Sequence, residues 1–124
     1  MKRLLIACLM LVSGSVCAAD SLSAAQVKAL MIDSTINGFN EIFKMNYTVY
    51  FSSEGKVTLV TPKGKRTGAW RIAEDGHFCT LFPTEQEVCT HVIPHAEGAY
   101  RRVKDDGTPT HTLNKFTPGN VNNY

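Results

Sequence analysis

Apolar and polar residues alternate with a period of two over most of the chain beyond Met45, in short runs rich in Val, Thr, Tyr and Phe. The alternation predicts strands over residues 47–51, 56–61, 67–73, 77–82, 87–93, 99–104 and 110–116. Between them stand Ser53-Glu54-Gly55, Pro62-Lys63-Gly64, Glu74-Asp75-Gly76, Pro83-Thr84-Glu85, the segment 94–98 and Asp105-Asp106-Gly107, each with Gly, Pro or both. Connections this short exclude the helical crossovers that a parallel sheet requires. The predicted architecture is an antiparallel meander of six or seven strands, curling toward a small barrel.

A different period precedes the strands. Ser23 and Gln26 have the spacing of a capping box, and Val27, Leu30 and Met31 follow at helical intervals, which predicts a helix over residues 24–32. Asp33, Ser34, Asn37 and Gly38 then supply turn chemistry, and the segment reads as a loop. The fold class is therefore α+β and mainly β, with the N-terminal helix packed on the sheet. No repeat or linker divides residues 20–124, which read as one domain.

Residues 1–19 have another character. Lys2-Arg3, the apolar run from Leu4 to Val12 and the small residues up to Ala18-Ala19 are the three parts of a secretory signal peptide. Cleavage is expected after Ala18 or Ala19, giving a periplasmic or secreted protein. The apolar run is about half of the ~20 residues that cross a bilayer, and no transmembrane segment is expected elsewhere. Gly14-Ser15-Val16 ahead of Cys17 is a poor lipoprotein box, so lipidation is not expected. Removing Lys2 and Arg3 leaves 11 basic and 11 acidic residues, a neutral chain with no electrostatic case for nucleic acid.

Export leaves two cysteines, Cys79 and Cys89, whose default state in an oxidising compartment is a disulfide. Joined across a hairpin, they fix its register: Phe78 faces Thr90, Leu81 faces Glu87, and His77 faces His91, around a turn centred on Thr84. Phe78, Thr80 and Phe82 then share one side with Val88, Thr90 and Val92, the more apolar side and the expected core face. Val57, Leu59, Trp70 and Ile72 are expected to supply the facing stripe.

The same register sets His77 and His91 across from one another with Cβ atoms roughly 5 Å apart, a spacing that suits Zn or Cu, with His95 as a candidate third ligand. Catalysis is not expected and no catalytic residue is assigned. The acidic residues fall in turns, no elbow motif frames a serine, and no phosphate loop is present. A small hydrolase is the least favoured reading. Arg101 and Arg102 read as residues of an exposed edge strand. Among the aromatics, Trp70, Tyr50 and Tyr100 are the candidate contacts for a ligand or partner.

The helix Leu22-Ser-Ala-Ala-Gln-Val-Lys-Ala-Leu30, the segment Ser34-Thr-Ile-Asn-Gly38, Tyr50-Phe51, Gly68-Ala69-Trp70, Gly76-His77-Phe78-Cys79, Cys89 and the late Gly119-Asn120 follow one another in a familiar order. Together they resemble the small exported proteins called the domain of unknown function 995 family. The resemblance implies an extracytoplasmic, β-rich Gram-negative protein with its two cysteines paired, and it implies no activity. Asp33-Ser34-Thr35 stands where that family has Gly-Asn-Thr, which weakens any role for this loop. The expected function is a non-catalytic binding module, without a cofactor, for a small ligand or an envelope protein. The alternative is a periplasmic metal-binding protein using His77 and His91.

Overall fold

A computed structural model describes residues 21–124. The expected signal peptide, its cleavage site and Cys17 lie outside the described residues. The helix α1 (Ala24–Met31) begins as its sequence dictates: the Ser23 hydroxyl accepts from the Gln26 backbone N–H, and the Gln26 side chain accepts from the Ser23 N–H. Val27 and Met31 are fully buried on its inner face. Burial of two such side chains contributes roughly 1.5–3 kcal/mol each, more than a short helix gains from propensity alone.

Eight strands follow: β1 (Ser34–Asn40), β2 (Met45–Phe51), β3 (Lys56–Thr61), β4 (Gly64–Ile72), β5 (Phe78–Leu81), β6 (Val88–Pro94), β7 (Tyr100–Val103) and β8 (Pro109–Pro118). Each pairs antiparallel with its sequence neighbours, and β8 pairs with β1, so the sheet closes into a barrel. This is one strand more than the seven runs that the alternation predicts. The added strand is β1, which was read as a loop.

Asp33 explains the misreading. It adopts φ 61°, a left-handed corner that turns the chain from helix to strand in one residue, and its N–H donates to the Phe51 carbonyl. Asn37 and Gly38 look like turn residues but mark a bulge in the β1–β8 pairing. Gly38 is required there: a Cβ would collide with the Thr112 carbonyl and the Tyr47 ring, which folds over the strand. The seam is held further by Gly119, whose N–H donates to the Asp33 carbonyl and whose carbonyl accepts from the Thr35 hydroxyl, both at 2.7 Å.

Closure removes every edge, so the edge-strand reading of Arg101 and Arg102 is wrong. Strand β7 lies between β6 and β8, and alternation sends Arg102 inward, where it is only 4% exposed. The core centres on Phe78, with the Phe51 ring edge-on at 4.8 Å and the Trp70 ring stacked at 6.1 Å. Phe78, Thr90 and Val92 are fully buried and Thr80 nearly so, as expected of the core face of the hairpin. Val88, expected on that same face, is instead 43% exposed at the start of β6, and Phe82, just past β5, is only partly buried. Among the described residues no helix is long and apolar enough to cross a membrane.

Candidate metal centre

Strands β5 and β6 pair in the register expected from the cysteines, with Phe78 opposite Thr90, Cys79 opposite Cys89 and Thr80 opposite Val88. Cys79 and Cys89 are joined, their Cα atoms 4.0 Å apart. Two residues away from each cysteine stand His77, just before β5, and His91, on β6, both partly buried and with ring centroids 3.9 Å apart. His77 lies at the end of the β4–β5 turn. There Gly76, at φ 94°, lets the chain reverse, and the Asp75 carboxylate accepts from the His77 backbone N–H.

The third member of the cluster comes from a distant part of the chain. Asp105 sits in the tight β7–β8 turn, closed by Gly107 N–H donating to the Lys104 carbonyl at 2.8 Å. Its Oδ1 lies 2.8 Å from His77 Nε2 and 3.0 Å from His91 Nε2. Behind His77, Asp75 Oδ2 is 2.8 Å from Nδ1. One donor atom from each of His77, His91 and Asp105 lies within 4.8 Å of the other two. The imidazoles are partly buried and Asp105 is exposed, so the cluster opens to solvent on one side.

Electrostatics follow from this contact. Hydrogen bonding to Asp105, then to Asp75, raises the His77 pKa above the usual imidazole value, while burial opposes the shift. The His77 hydrogen bond in turn holds both Asp75 and Asp105 below the ordinary carboxylate range. His91 Nδ1 is buried and has no hydrogen-bond partner among the described residues. A buried ring nitrogen without a partner leaves the His91 tautomer to be set by what its Nε2 meets.

The cluster brings together two of the three histidines considered as ligands from the sequence, His77 and His91, and leaves the third apart. His95 is exposed and stands outside it, in the β6–β7 turn, where its backbone N–H donates to the Ala99 carbonyl. Asp105 takes that place, and Asp75 adds an orienting contact. Both were read as solvated turn carboxylates. Cys79, Glu87 and Cys89 also lie close together, but both sulfurs are in the disulfide and Glu87 is engaged by Arg71 at 2.8 and 2.9 Å.

The proposed contact aromatics do not form one surface. Trp70 and Tyr100 pack against the core, with the Trp70 indole N–H donating to the Ser52 carbonyl at 2.7 Å and Tyr100 edge-on to Phe116. Tyr50 lies on the opposite face of β2 from Val49 and Phe51, and its hydroxyl donates to Asp33. The barrel interior keeps a void of about 30 Å³ beside Thr80, Arg102 and His111. That is room for about one water, far below a drug-sized ligand. A larger groove of about 450 Å³ between Asn37, Asn46, Thr48 and Asn114 is open to solvent and lined by no charged side chain. Comparison of the chain with family models, with curated proteins and with solved structures finds no match in any of the three.

Proposed function

We propose that this protein is an exported metal-binding protein that takes a divalent first-row cation, Zn(II) or Cu(II), on His77, His91 and Asp105. The observation that carries the reading is the convergence of two Nε2 atoms on one carboxylate oxygen, at 2.8 and 3.0 Å. Zinc holds histidine nitrogen and carboxylate oxygen at about 2.0–2.2 Å, so adjacent donors around it stand roughly 3 Å apart or slightly more. A small outward movement of Asp105 makes room for the ion.

Two imidazoles and one carboxylate suit these borderline cations better than Mg or Ca, which prefer oxygen alone. Asp75 accepting from His77 Nδ1–H is the second contact that orients a metal-bound imidazole and raises its basicity. The open side leaves a fourth position for water or for a donor from another molecule, which suits exchange better than permanent burial. An extracytoplasmic location, expected from residues 1–19, fits the cystine next to the site.

Zinc titration of the folded chain tests the reading. Zinc that binds the native state raises Tm in proportion to ln(1 + [Zn]/Kd), and His91→Phe removes the rise. Equal melting temperatures in zinc and in chelator overturn it. A second reading, surface recognition of an envelope partner, draws on Ile42 and Phe43, which are 54% and 68% exposed in the β1–β2 turn.

A further inference from the structure

Arg102 is the least expected group in the barrel. It enters from β7, is 4% exposed, and among the described residues no carboxylate pairs with it. Its Nε donates to Thr90 Oγ1 at 2.7 Å, and its Nη2 faces the Phe78 carbonyl, Thr80 Oγ1 and the Val88 carbonyl at 3.3–3.5 Å. The Phe78 ring lies under the guanidinium, 5.1 Å from its carbon. Every one of these partners is neutral.

The charge is nonetheless retained. Burial lowers the Arg102 pKa to about 10, still well above neutrality. Nη1 donates to no protein oxygen among the described residues. A buried cation surrounded only by neutral acceptors has its hydrogen bonds partly satisfied but its charge uncompensated.

The interior void adjoins this group. It is about 30 Å³, and Arg102, Thr80, His111 and Tyr47 meet it along with apolar side chains. The Tyr47 hydroxyl is spent on the Thr112 carbonyl at 3.2 Å. Thr110 Oγ1 donates to the Arg102 carbonyl and so accepts from His111 Nδ1–H, and burial, then the Arg102 charge, keep that imidazole neutral by lowering its pKa to about 3. Thr80 Oγ1 accepts from Arg102 and still has its own proton to donate. The void thus offers a cation, a hydroxyl donor, and space for one particle of about the size of water.

We infer that the barrel interior binds one small monovalent anion of the halide class, chloride foremost, between Arg102 Nη1 and the Thr80 hydroxyl. A water molecule satisfies the same N–H groups but supplies no counter-charge. Polyatomic and organic anions are excluded by volume. The site is independent of the histidine cluster on the outer wall.

Two measurements on the full chain test this. Melting temperature is compared in sodium chloride, bromide and gluconate at equal ionic strength, in the presence of a chelator. The expected result is a saturable rise in the halides alone, about 5 °C when the halide exceeds its Kd tenfold, that is lost in Arg102→Met. Anomalous scattering from crystals grown in bromide should then show a peak within hydrogen-bond distance of Arg102 Nη1 and Thr80 Oγ1. This second measurement needs only the native chain, so it decides the matter even where Arg102→Met does not fold. Identical melting in all three salts, halide dependence surviving in Arg102→Met, or bromide confined to surface positions overturns the inference.

Discussion

His77 and His91 face each other on the outer wall of the barrel with ring centroids 3.9 Å apart, two positions along from the bond that joins Cys79 to Cys89. The ladder that pairs Cys79 with Cys89 runs on to Phe78 and Thr90, the neighbours of the two histidines, so the register that aligns the cysteines also brings the imidazoles together.

The disulfide should therefore contribute to stability more than to the site. Its cysteines are 10 residues apart, and closing so short a loop is worth about 2–3 kcal/mol. Cys79→Ser/Cys89→Ser is expected to lose that much in chemical denaturation while keeping its zinc affinity within about tenfold, because the neighbouring ladder pairs hold the register. Serine is the right replacement, since free thiols beside Glu87 would create a second ligand set. Complete loss of zinc binding in the serine variant would show that the bond itself, rather than the ladder, holds the histidines together.

Asp75 touches His77 but not His91 or Asp105, so it is a positioning residue. Asp75→Asn should weaken zinc binding about 10–100-fold, as loss of an orienting carboxylate does elsewhere. The metal-free melting temperature should move by little, because the Asp75 side chain is 64% exposed. Titration calorimetry with parallel melting separates the two effects. An unchanged zinc affinity would remove Asp75 from the site.

His111 gives the fold a pH dependence of its own. Burial, and next the Arg102 charge, lower its pKa from 6.5 to about 3, with the Tyr47 ring edge-on against it. Between these values the unfolded chain binds a proton that the folded one refuses. The contribution to stability is complete above pH 6.5 and falls as pH drops toward 3. Wild type should lose about 3–5 kcal/mol more than His111→Gln across that window. Parallel unfolding curves for the two proteins would contradict this.

Much of the wall was legible in the sequence, because alternation and turn residues are local signals. Strand β3 was read with its observed bounds, and the cysteines set the β5–β6 register. Strand β1 was not legible: Asp33, Asn37 and Gly38 have turn chemistry, and only the collision that any Cβ at Gly38 would meet explains the glycine. A small barrel was anticipated from the meander, but with β1 unread the β1–β8 seam that closes it was not placed, and neither was the inward aim of Arg102. Asp105 was missed for a related reason. Its approach to His77 depends on how the β4–β5 and β7–β8 turns meet across the curved wall, which spacing along the chain does not encode.

The most direct test of the metal centre is anomalous diffraction at the zinc edge from crystals of the zinc-loaded protein. The expected result is one peak at about 2.0–2.2 Å from His77 Nε2, His91 Nε2 and an Asp105 oxygen. Saturating zinc that leaves this position empty, or that settles on His95 or His111 instead, would contradict it.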